Sequence, residues 1–105
     1  MKNSEKRFAI FTVCIRGTGE QVMECARKAG ARGGTIFKAR GTAPEEVTQF
    51  INVDVQPEKE IILILVSAAD KEKIMKAISS ECGISSEANA ITFAIPVDET
   101  IGVNI

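Results

Sequence analysis

From Phe8 to Ile15 the chain reads FAIFTVCI, and two apolar sets interleave along it. Phe8, Ile10, Thr12 and Cys14 fall on one side and Ala9, Phe11, Val13 and Ile15 on the other, which is the period of a strand with two faces to cover. In so short a chain the helices suffice for one face of a sheet, so the second apolar set predicts cover by another subunit. The period then changes. Thr18-Gly-Glu-Gln21 has capping-box spacing, and Val22, Cys25, Ala26 and Ala29 repeat at helical intervals. This predicts a helix of about twelve residues, supported by a Glu24–Lys28 pair and closed by Gly30.

Thr35-Ile-Phe-Lys-Ala reads as a second strand, bracketed by Gly33-Gly34 and Gly41. A polar, acidic stretch follows from Ala43 to about Gln56, a long connection of the kind that often carries function, with room for a helical turn over 45–51. Glu60–Val66, EIILILV, is a continuous apolar run rich in β-branched residues, most simply a central strand buried on both faces. Ser67 and Asp70 offer N-caps for a second helix with Ile74, Ala77, Ile78 and Cys82 as its stripe, Glu72–Lys76 as a pair and Gly83 as its stop. In ITFAIPV, residues 91–97, Ile91, Phe93, Ile95 and Val97 share one face, and Pro96 marks an edge or a strand end. Strand–helix–strand thus occurs twice. The expected fold is α+β: a ferredoxin-like βαββαβ sandwich, one domain over residues 1–105, with a four-stranded antiparallel sheet and two helices on one face. The uncovered face predicts a closed symmetric oligomer.

Composition removes several chemistries. There is no His, Trp or Tyr, so imidazole bases, Ser-His-Asp and Cys-His pairs, His-ligated metals and tyrosyl modification are all excluded. Cys14, Cys25 and Cys82 form no C-x-x-C and sit at apolar positions, as buried thiols of a reducing compartment do. No Walker motif or G-x-S-x-G is present, and catalysis is not expected. Neither a signal peptide nor a membrane span is expected, and the localisation read from this is cytoplasmic. The net charge of −1 hides a split. Residues 1–40 hold nine Lys/Arg against three Asp/Glu, residues 41–105 four against eleven, and no cation follows Lys76. A domain so balanced is not expected to bind nucleic acid.

The ordered set of Gly33-Gly34-Thr35-Ile36, Gly41 before a long loop, the Ile61–Val66 run, the helix KEKIMKAISSECGI and the ending ITFAIPVDETIG resembles the PII signalling proteins (nitrogen regulatory protein P-II) and their PII-like relatives. The resemblance implies a homotrimer with ligand clefts between subunits, in nitrogen regulation or a related signalling role. It implies that the cleft's occupant sets the conformation of the 43–57 loop, which engages a protein target such as a transporter or metabolic enzyme. No cofactor is required; the effector implied is an adenine nucleotide, ATP, ADP or AMP. The chain departs from the family where phosphates are gripped. The usual Gly-Asp-Gly-Lys turn is replaced by Ala88, Asn89, Ala90 and Ile91, and the C-terminal cations are missing.

Candidate ligand residues at such a cleft are Thr35, Lys38, Arg40, Gly41, Thr42, Ala88, Asn89 and Ala90, with Arg32 as a further anion contact. Arg32, Lys38 and Arg40 interleave with glycines, and backbone N–H groups plus cations hold phosphate or carboxylate; a solvated basic edge, or pairing with acidic groups of another subunit, reads equally from the pattern. Gly41-Thr42 is a cleft wall or a loop exit, and Thr35 a base-pocket residue by resemblance or an ordinary strand threonine. The uncharged Ala88–Ala90 turn shapes a pocket or donates backbone hydrogen bonds. Glu45, Glu46, Asp54 and Glu58 form a solvated loop or hold a metal or basic partner, and their spacing is not that of an EF-hand. A ligand-independent trimeric adaptor is the alternative function, and a trimeric metal-tolerance protein a third that the absence of His disfavours.

Overall fold

The computed structural model describes residues 6–42 and 58–103. Its elements are β1 (Arg7–Ile15), α1 (Gly19–Lys28), β2 (Thr35–Arg40), β3 (Glu58–Ser67), α2 (Ala68–Cys82) and β4 (Ile91–Val97). The sheet has the order β2-β3-β1-β4, with every neighbour antiparallel. This is the expected βαββαβ sandwich. Register is pinned by the apolar alternation, because a one-residue slip would turn each strand's core set outward. Ile10 lies opposite Ile64 and Ala94, and Thr12 opposite Ile62 and Thr92. The Thr12 hydroxyl donates to that of Thr92 at 3.0 Å, so the threonine in the core-facing set is satisfied within the sheet.

The core lies between this face and the two helices. Ile10, Cys14, Ile62, Ile64 and Val66 meet Val22, Met23, Cys25 and Ala26 of α1 and Ile74, Ile78 and Cys82 of α2. The three thiols are free and buried, as their apolar positions predicted.

Several local expectations are corrected. α1 has ten residues, and its capping box does not form. The Thr18 hydroxyl turns back to donate to the Ile15 carbonyl at 2.6 Å, because the tight turn after β1 presents that oxygen first. The helix N-terminus is held instead by Glu60 of β3, whose Oε1 accepts from the Gly19 N–H at 2.7 Å. Ser67 stands at the N-cap of α2, but its hydroxyl meets the Asp70 carboxylate at 3.4 Å rather than a backbone N–H. The helix ion pairs among the described residues are Arg27–Glu24 and Lys73–Asp70, at i,i+3, in place of Glu24–Lys28 and Glu72–Lys76. Gly30 ends α1 with φ +118, as expected of a left-handed stop. Gly83 ends α2 for another reason: a Cβ there would lie 2.3 Å from the Ser79 carbonyl oxygen.

The opposite face of the sheet carries Phe11 and Val13, Phe37, Ile61, Leu63 and Leu65, and Ile91, Phe93 and Ile95. Phe11 and Phe93 stack with centroids 5.5 Å apart. Ile91 is 68% exposed, Phe93 and Ile95 46% each and Phe37 42%, so most of this face lies open, with Gly102 and Val103 bordering it at the Leu63–Leu65 end.

Candidate anion site

Strand alternation places the candidate cations. Ile36 packs into the core beneath α1, so Lys38 and Arg40 follow it on the helix-side face of the edge strand β2. The antiparallel register sets Glu60 directly opposite Lys38 and Glu58 opposite Arg40. Cross-strand neighbours of opposite charge ordinarily pair. Here they do not: Glu58 pairs with the Arg16 guanidinium and Glu60 with the Gly19 N–H. Lys38 and Arg40 are therefore exposed cations with no ion-pair partner among the described residues, and Arg32 is a third. They stand at the end of the sheet where β1 turns into α1, and Gly41 and Thr42 continue directly from them.

The Ala88–Ala90 turn lies at this same end. The Ile15 N–H donates to the Ala88 carbonyl at 3.1 Å, which fixes the turn at the end of β1. With β3 between β2 and β1, the turn stands about 10 Å from the line of β2. Its backbone donors are largely spent. The Asn89 N–H bonds the Ser86 carbonyl at 3.2 Å and the Ala90 N–H the Cys82 carbonyl at 2.8 Å. The role of backbone donor is thereby withdrawn from Asn89 and Ala90. Ala88 is fully buried, and Asn89, held at φ +48, offers its exposed side chain.

Arg32 and Thr35 are elsewhere. Thr35 begins β2, about 17 Å along the strand from Arg40, and belongs to the open face with Leu63. Arg32, Gly33, Gly34 and Thr35 line a groove of about 450 Å3 with Leu63, Leu65, Gly102 and Val103. Gly34 is required here by close approach, since a Cβ would lie 2.9 Å from the Leu63 carbonyl oxygen and 3.0 Å from Met23 Sδ. The nine candidate residues thus divide into two sets at opposite ends of one sheet. A single chain does not bring them together.

The sequence pattern does not single out Arg16, Glu60, Gly102 or Val103, and it groups Glu58 with an acidic loop, whereas Glu58 begins β3. The alternation Glu58-Lys59-Glu60 ahead of Ile61 was the available signal, since it extends β3 backwards and sets two carboxylates on the face of Lys38 and Arg40. Glu45, Glu46 and Asp54, and the helical turn read over 45–51, lie outside the described residues. Among the described residues no three Cys, Asp or Glu side chains converge to hold a metal ion, and no helix is long and apolar enough to cross a membrane.

Solved structures of the same architecture exist. The chain superimposes on GlnK of Bacillus subtilis in complex with ATP with a TM-score of 0.71 at 16% identity, over 91% of this chain and 85% of that one. The chain has the PII fold. Arabidopsis thaliana PII bound to citrate gives a TM-score of 0.70 at 21% identity, over 95% of this chain and 82% of the other. A second structure of Bacillus subtilis GlnK gives 0.67 at 17%, over 91% and 89%. No family model matches the sequence, and no curated protein matches it. The likeness to PII proteins is thus one of backbone, and the chemistry of the site rests on this chain's own residues.

Proposed function

We propose that this chain is a non-catalytic regulatory protein of the PII-like kind, a single domain acting as a homotrimer. It senses a small anionic metabolite, an adenine nucleotide being the first candidate, at clefts between subunits and regulates a partner protein through the 43–57 loop. The observation that carries this reading is the division of the cationic, glycine-bearing residues between opposite ends of a sheet whose apolar face is uncovered. Only a second copy supplies Arg32, Thr35 and their groove to the Lys38–Arg40 end of the first. An anion held there meets guanidinium and ammonium groups that no carboxylate of the described residues occupies, which favours charge-assisted hydrogen bonds. ATP and citrate, bound in two relatives of the same fold, are anions of this kind. Signalling through the loop requires that the ligand bind one loop state better than the other.

Calorimetric titration with ATP, ADP, AMP and cyclic AMP tests the proposal. Binding below millimolar concentration that Arg40→Ala weakens severalfold is the expected result. No binding by any of the four, together with an unchanged melting temperature in their presence, defeats the sensing part, because a ligand of the native state alone raises stability.

One observation favours the second reading, a ligand-independent trimeric adaptor. The Ala88–Ala90 turn carries no cation, and the Asn89 and Ala90 N–H groups are already bonded within the chain. A trimer that binds its protein target with the same affinity with and without nucleotide is the outcome that this reading expects.

A further inference from the structure

We propose that Arg16 is a positioning residue for the anion site: by holding Glu58 it keeps the Arg40 guanidinium free to take an anion. The inference rests on the reading of Lys38 and Arg40 as anion ligands. Its basis is a pairing that the strand register favours and the structure does not make. Side chains directly opposite on one face of an antiparallel pair have Cβ atoms about 5 Å apart, within easy reach for Arg and Glu. Arg40 and Glu58 are such a pair, and Lys38 and Glu60 are the next. Each carboxylate is drawn to a group from the β1–α1 turn instead. Arg16 Nη1 bonds Glu58 Oε1, and the Arg16 N–H also reaches the Glu58 carbonyl at 3.4 Å. The Gly19 N–H holds Glu60 Oε1 at 2.7 Å.

The consequence is selective. Two carboxylates beside the site would otherwise neutralise its two cations, and an incoming anion would first have to displace them. Occupied from the other side, they leave Lys38 and Arg40 open while Arg16 offsets the charge of Glu58. Gly19 reinforces this on steric grounds, since a Cβ there would lie 2.6 Å from Glu60 Oε1 and push the carboxylate off its amide. The β1–α1 turn thereby sets the charge state of the neighbouring strand. Ion pairs at exposed positions are individually weak, so the effect is a tuning of affinity of roughly two- to fivefold rather than its creation.

The test uses the full chain as wild type, Arg16→Gln, Glu58→Gln and the double variant. Both substitutions are at exposed positions, and melting curves check that each of the four proteins folds. Two readouts are taken: the rate at which phenylglyoxal modifies Arg40, followed by peptide mass spectrometry, and the affinities for ATP, ADP, AMP and citrate by calorimetry. In Arg16→Gln, Glu58 is released to Arg40; modification of Arg40 slows and anion affinity falls by roughly two- to fivefold. Adding Glu58→Gln restores both. An Arg40 that reacts equally fast in the wild type and in Arg16→Gln overturns the proposal whatever binds. So does a loss that the double variant fails to restore. If Arg40 is shielded and restored as expected while none of the four anions binds the wild type, the coupling of Arg16 to Arg40 stands and the anion-sensing reading falls.

Discussion

Cys25 shows how far a single residue's surroundings govern its chemistry. It lies between the helices, donates to the Ala77 carbonyl at 3.2 Å and touches Cys82. Burial first, then the nearby Glu81 charge, pushes its thiol up to about 11, and burial raises Cys14 and Cys82 as well. A thiol is reactive only as thiolate, so the native protein should be nearly inert to iodoacetamide at pH 8, and the three cysteines should label together only when it unfolds. The linkage has a definite sign. Above the ordinary thiol value of 9.0 the unfolded chain loses protons that the folded chain keeps, so stability falls as pH rises from about 9 towards 11 and is untouched by these groups below that window. A melting temperature in Cys25→Ala as steep in this window as in the wild type would assign the fall to other groups. Gly34 makes the complementary point about space. Its replacement by Ala forces the new methyl against the Leu63 carbonyl and Met23, and should destabilise by about 1–3 kcal/mol in urea denaturation, whereas Gly33→Ala, which meets nothing, should be nearly silent.

At the level of elements, α1 depends on β3 for its start. The capping box at Thr18 is legible as a pattern, but a hydroxyl and an amide three residues apart do not say which acceptor the turn will present. The turn after β1 offered the Ile15 carbonyl to Thr18 and left the Gly19 N–H to Glu60, forty-one residues further on. Glu60→Ala should therefore cost about 1 kcal/mol, the usual worth of a cap, and Glu60→Gln less, because an amide oxygen still accepts; equal stability of both with the wild type would remove Glu60 from the cap. The same distinction separates what the sequence made readable from what it did not. The six elements, their order and the buried stripes follow from local period, since a strand or helix buries whatever its own repeat presents. Met23 was overlooked in α1 because it lies beside the Val22–Ala26 stripe and reaches the core by virtue of its length. Lys38 and Arg40 were readable as cations among glycines. That they stand free depends on the β2–β3 register and on Arg16, both of which are tertiary, and so does the separation of Arg32 from them by the length of a strand.

On the scale of the whole molecule, the open face of the sheet is the feature that a test of assembly in solution addresses. β1 and β3 were seen to carry two apolar sets, and the structure adds β4 and β2 to the uncovered one through Ile91, Phe93, Ile95 and Phe37. The result is a contiguous apolar surface across all four strands, of a kind that soluble monomers rarely leave open. If three copies close over it, the site gains the Arg32 groove of a neighbour, and the mass by light scattering is about three times 11.3 kDa. Phe93 is the residue on which to test this. Its ring stacks on Phe11 at the β1–β4 boundary, 46% exposed, so a change there disturbs the covered surface more than the core beneath the helices. Phe93→Asp places a carboxylate where a neighbouring apolar face would have to desolvate it, a cost of several kcal/mol that the interface cannot repay. The expected product is a folded monomer whose melting temperature no longer rises with protein concentration, and whose affinity for any anion bound by the wild type is lost with the shared cleft. A wild type that scatters as a monomer rules out the trimer and the cleft together. A Phe93→Asp protein that remains three times the chain mass moves the interface away from this face and leaves its exposure to be explained by a different partner.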